Sequence, residues 1–165
     1  MVSKLVKEYV YASSDFDNKK GDSSGRELKI APAYNFGQSL ILRIEDKNVV
    51  KKMLSNAKDA ADNNLIGYSQ SRRFTLVDYA REGHKFKNLK KRRDCDCSSF
   101  ITALMYSLGY KSFNYWSYTR TLEQDFRSCM IKYKVPFRVL KYDEKSVKAG
   151  DIILNPAKHV VIGYK

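Results

Sequence analysis

The chain has 165 residues and 43% of them are hydrophobic, enough for a sizeable core, which excludes wholesale disorder. Its formal charge is +13, from 31 Lys and Arg against 18 Asp and Glu, and a surface of that sign is drawn to polyanions such as nucleic acid, anionic lipid or anionic wall polymers. The three cysteines, Cys95, Cys97 and Cys129, are odd in number and two are one residue apart, so they read as free thiols rather than a disulfide framework.

The N-terminus, residues 1–7, lacks the apolar core and small-residue cleavage site of a signal peptide, and no stretch approaches the roughly 20 apolar residues of a membrane span. Residues 5–11 alternate loosely as a strand would. A polar loop follows over 13–26, punctuated by Gly21 and Gly25. Residues 40–44 read as a short strand. The clearest helix is 46–63, where Val49, Val50, Met53, Leu54, Ala57, Ala60 and Ala61 recur at helical spacing with lysines opposite. A second helix is expected over 71–82, ended by Gly83. A third, 97–108, is almost wholly apolar and therefore buried, and Gly109 stops it. A fourth covers 121–134 before Pro136. Strands follow at 137–142, 151–154 and 159–164. No repeat and no linker divides the chain, so one domain over 1–165 is expected, of class α+β with a largely antiparallel sheet toward the C-terminus.

Two stretches carry chemistry. In Asp94-Cys95-Asp96-Cys97-Ser98-Ser99-Phe100-Ile101 a polar turn runs straight into the apolar third helix. A cysteine there meets unpaired backbone N–H groups and the positive end of the helix dipole, both of which favour the thiolate. Helix register puts Cys97 in the first turn and leaves Cys95 before it, so Cys97 is the candidate nucleophile. Asp96 can cap the helix by accepting from the N–H of Ser98 or Ser99. Its charge opposes ionisation of the thiol, so activation rests on the helix end and a histidine. His159, at the start of Val160-Val161-Ile162, is that histidine. His84, just past a helix C-terminus, reads as structural or surface. The alternatives are a buried structural cysteine and a satisfied structural histidine.

The run Lys85, Lys87, Lys90, Lys91, Arg92 and Arg93 is either a solvated loop or a nucleic-acid contact, and no nucleic-acid fold signature accompanies it. Cys-x-Cys with two distant histidines is a poor zinc set, and Asp15, Asp17, Asn18 and Asp22 do not fit an EF-hand loop. Neither metal nor cofactor is expected.

Asp96-Cys97-Ser98-Ser99 before an apolar helix, then Gly150-Asp151-Ile152-Ile153-Leu154 and His159-Val160-Val161-Ile162, resembles the NlpC-type superfamily of papain-like cell-wall hydrolases. More narrowly, Gly21-Asp22-Ser23-Ser24-Gly25-Arg26-Glu27 and Ile66-Gly67-Tyr68-Ser69-Gln70-Ser71-Arg72-Arg73 are similar to elements of phage-type peptidoglycan amidohydrolases. There a Gly-Asp-x-Thr-Gly-x-Glu loop, an Ile-Gly-Tyr-x-Gln element and an Asp-Cys-Ser-Ser helix occur in this order. The resemblance runs from about Tyr11 to the C-terminus.

It implies a papain-like fold in which N-terminal helices precede a C-terminal antiparallel sheet and the nucleophile helix packs on that sheet. It also implies an endolysin or virion-associated lysin that cuts an amide or peptide bond of peptidoglycan. Cys97 would attack the scissile carbonyl and His159 would serve as base and then acid. The oxyanion would meet the Cys97 N–H and an upstream donor, Tyr68 or Gln70, with Asp96 and Ser98 beside the nucleophile; Tyr68 and Gln70 could equally just open a helix. The superfamily commonly orients its histidine with a polar residue on the next strand, but only six residues follow His159. A third member then comes from elsewhere, is absent or lies beyond the chain's end; Glu27 and Asp22 are the substitutes in view. Such a protein would be made in the host cytoplasm and reach the wall through a holin or on a phage particle, its basic surface held by anionic wall polymers. The rivals are an inactive phage structural or nucleic-acid-binding protein on the same fold, and a papain-like protease or transferase with another substrate.

Overall fold

The structure, a computed structural model, describes residues 5–14 and 27–165. Three strands come first: β1 (Glu8–Ala12), β2 (Leu28–Pro32) and β3 (Leu40–Ile44). Helix α1 (Lys47–Ala61), strand β4 (Ile66–Tyr68) and helix α2 (Thr75–Arg81) follow. Strand β5 (Arg93–Cys95) leads into α3 (Cys97–Ser107), and α4 (Leu122–Lys132) comes next. The chain closes with β6 (Phe137–Lys141), β7 (Ile152–Asn155) and β8 (His159–Gly163).

The fold class is α+β, as expected, but its element order differs from the expected one of helices first and strands last. Three strands precede the first helix and supply half of a six-stranded sheet ordered β2-β1-β8-β7-β3-β6, antiparallel at every pairing. Strand β1 pairs with β8 in the register Tyr9↔Gly163, so the first and last strands lie side by side inside the sheet. The short strands β4 and β5 form a separate parallel pair, with Tyr68 beside Cys95.

Both faces of the central strands are covered, which is why Ile152-Ile153-Leu154 and Val160-Val161-Ile162 are continuous apolar runs. Ile152, Leu154, Val160 and Ile162 join Met53, Phe100, Leu104 and Met130 on the helix side. Ile153 and Val161 point the other way, toward Tyr9, Tyr11, Phe36 and Val147. Helix α3 is buried along residues 98–106, as an apolar circumference requires. It lies against α2 and α1, with its N-terminal end at β8.

Helix α1 starts where Asp46 accepts from the N–H groups of Asn48 (2.9 Å) and Val49 (3.1 Å). Helix α2 is shorter than the expected 71–82, because residues 71–74 form a turn in which the Arg72 N–H donates to Ser69 Oγ. The start of β7 is clamped by Arg43, which holds Asp151 through both carboxylate oxygens at 2.8 Å and donates to the Ser146 carbonyl at 2.6 Å. Among the described residues, no helix is long and apolar enough to cross a membrane.

Candidate active site

Asp96 has extended backbone and caps α3 in a reciprocal box: its Oδ1 accepts the Ser99 N–H at 2.9 Å, while the Asp96 N–H donates to Ser99 Oγ at 2.8 Å. Cys97 is thereby fixed as the first helical residue. The backbone N–H groups of Ser98 and of Val160, the second residue of β8, favour its thiolate. Of the three cysteines only Cys97 is half-buried; Cys95 and Cys129 are buried.

These contacts set an ionisation opposite to the expected one. Burial first, and then the Asp96 carboxylate, push the Cys97 thiol up to about 12, against the lowering by the two N–H groups and by Arg73. Low dielectric and an adjacent anion outweigh the helix end, so at neutral pH Cys97 is a thiol that needs a base.

His159 opens β8 half-buried and lines the same groove of about 440 Å³ as Cys97, Asp96, Ser98, Tyr68 and Gln70. Its imidazole is framed by aromatic rings. Tyr11 meets it edge-on at 5.4 Å and 84°, Phe36 at 5.2 Å and 79°, and Tyr34 lies 6.3 Å away. Phe36 is tethered in turn: its N–H donates to Gln38 Oε1 at 2.8 Å and its carbonyl accepts from Asn155 Nδ2 at 3.1 Å. Gly37 has φ +77° and a Cβ there would stand 3.0 Å from that Asn155 nitrogen, so backbone and space both call for glycine.

Also at the groove, Gln70 Nε2 donates to the Tyr68 hydroxyl at 3.3 Å. Burial raises the Tyr68 phenol to about 12, so it remains a proton donor at any working pH. Tyr118 and Thr119, from the connection between α3 and α4, line the groove as well.

A family model described as an endolysin-like domain matches residues 17–165. The chain belongs to this family. No curated protein and no solved structure matches. Family membership is consistent with peptidoglycan hydrolysis as the class of activity.

The candidate residues separate on this geometry. The groove gathers Cys97, His159, Tyr68, Gln70, Asp96 and Ser98. Glu27 does not line it; Glu27 is fully buried just before β2, where its carbonyl accepts from the Ser13 N–H at 2.9 Å. Asp15, Asp17, Asn18 and Asp22 fall outside the described residues. His84 is exposed and pairs with Glu82 at 3.3 Å, away from the groove. In the basic run the lysines and Arg92 are exposed while Phe86 and Leu89 anchor the loop. Among the described residues no three His, Cys, Asp or Glu side chains are arranged to hold a metal.

Sequence reasoning missed Tyr11, Tyr34 and Phe36, the frame of His159. The one signal for the two tyrosines was the count of twelve in the chain, which by itself names no position.

Proposed function

We propose that this endolysin-like domain is a cysteine hydrolase of peptidoglycan on a papain-like, NlpC-type scaffold, with residues 1–165 acting as one catalytic domain. One observation carries the reading: the half-buried cysteine at the head of α3 and the histidine opening β8 line one groove.

The chemistry follows from a thiol held at about 12. Proton removal is coupled to attack: the Cys97 S–H bond breaks toward His159 as the sulfur bonds to the carbonyl carbon. The oxyanion accepts from the Cys97 backbone N–H and from the Tyr68 hydroxyl, whose oxygen Gln70 steadies. Collapse restores the carbonyl, breaks the C–N bond and sends the imidazolium proton to the leaving amine. Water then adds to the thioester, with His159 as base, and releases the acid and the free thiol.

Glu27 is the proposed third member. β1 lies between β2 and β8 in the sheet, and the Ser13 N–H donates to the Glu27 carbonyl at 2.9 Å, so Glu27, just before β2, stands two strands from His159. The exposed lysines of residues 85–91 would hold the enzyme on anionic wall polymer, as an endolysin or a virion-associated lysin.

The test compares wild type with Cys97→Ala and His159→Ala on purified cell walls. Both variants are expected to keep the wild-type circular dichroism and to lose clearing by about 10³-fold or more. Undiminished clearing by Cys97→Ala overturns the reading. The same lysines favour one rival, a nucleic-acid-binding protein; steeply salt-dependent DNA binding with no wall clearing would select it.

A further inference from the structure

A capping carboxylate next to a nucleophilic thiol is a conflict. Asp96 fixes the helix end that fixes Cys97, yet its negative charge opposes formation of the thiolate one residue away. The conflict is eased if a cation holds that carboxylate without displacing it from the cap.

Arg73 meets this requirement. It sits in the turn before α2, largely buried, with Phe74 under its guanidinium at 4.9 Å. Nε donates to Asp96 Oδ2 at 2.8 Å, which leaves Oδ1 to cap Ser99. One terminal nitrogen donates both to Ser98 Oγ at 3.0 Å and to the Ser117 carbonyl at 2.9 Å. Arg73 therefore grips the residues on either side of Cys97 and, through the fully buried Ser117, the segment that sends Tyr118 and Thr119 to the groove wall. Its neighbour Arg72 is mostly exposed and goes to Asp94 instead, so the two arginines are not interchangeable.

We propose that Arg73 is a positioning residue of this site, which offsets the Asp96 charge beside Cys97 and locks the nucleophile turn to the groove wall at Ser117. The charge half concerns the thiol alone; the groove-wall half rests on the hydrolase reading. Lysine can supply the charge but not the fork that reaches Asp96, Ser98 and Ser117 together.

The experiment reads iodoacetamide alkylation of Cys97 by peptide mass, from pH 7 to 10, together with wall clearing. Arg73→Gln is expected to slow alkylation about threefold to tenfold, since a tenfold change corresponds to one pKa unit. Arg73→Lys is expected to restore alkylation to within about twofold of wild type while clearing stays depressed. Asp96→Asn, which keeps a capping side chain, is expected to speed alkylation, and adding Arg73→Gln to it should slow it again, because the guanidinium also favours the thiolate directly. A folded Arg73→Gln protein with the wild-type alkylation profile overturns the charge half. If Arg73→Gln does not fold, an Asp96→Asn rate equal to wild type overturns it instead. Full clearing by Arg73→Lys overturns the groove-wall half. A wild-type protein that clears no wall defeats the hydrolase reading, and the groove-wall half with it, while the alkylation arm still decides the charge half.

Discussion

Cys97 and Cys95 stand two positions apart, and both thiols are raised by burial and by Asp96, yet they differ in access. Cys95 ends β5 fully buried, where burial followed by the Asp96 and Asp94 carboxylates holds its thiol well above the ordinary value. Cys97 opens α3 at the groove. Iodoacetamide is therefore expected to label Cys97 alone in the native protein. With the thiol at about 12, the labelling rate should rise about tenfold per pH unit from 7 to 10. A rate that is already flat near pH 7 would mean a preformed thiolate–imidazolium pair and would refute the coupled proton transfer. That Cys97 rather than Cys95 opens the helix was legible, because helix register is a local property. The direction of its ionisation was not, since the burial that dominates it comes from residues distant in the chain.

At the scale of elements, local signals succeeded where the element was long or its cap explicit. Helix α1 illustrates both: apolar spacing marked its body and Asp46 its start. Asp46→Ala should cost about 1 kcal/mol of stability through the lost cap. Because α1 contributes no residue to the groove, the urea midpoint is expected to fall with wall clearing unchanged; an unchanged midpoint would refute the capping role. Strands β4 and β5 escaped notice. Each has three residues, too few to display a period of two, and they pair in parallel across the intervening α2. Their pairing nonetheless sets Tyr68 beside Cys95, two positions before the candidate nucleophile. Strand β2 went unread as well, although it forms one edge of the main sheet.

Over the whole molecule, buried acids govern how stability depends on pH. The Cys97 and Cys129 thiols are both raised to about 12 and Cys95 is raised well beyond its ordinary value, in each case chiefly by burial. The unfolded chain releases these protons near pH 8.5, while the folded chain keeps them. The stabilising contribution is thus complete below about pH 8.5 and declines as pH rises toward the folded values. Tyr9 and Tyr68, also raised by burial, add to the decline from about pH 10. The urea midpoint is expected to fall steadily from about pH 8.5 to 11, and less steeply in Cys129→Ala; a flat profile would contradict the burial of these groups.

The sequence by itself determined the α+β class, the principal helices and the place of Cys97 at the head of one of them, because spacing, capping residues and turn glycines act over a few neighbouring positions. Only the tertiary structure decided what those residues meet. The β1–β8 pairing brings Tyr11 to His159, the turn before α2 brings Arg73 to Asp96, and enclosure of the sulfur beside a carboxylate makes Cys97 a resting thiol. Each of these is a contact between segments far apart in the chain, and local patterning does not specify which distant partner a segment will meet.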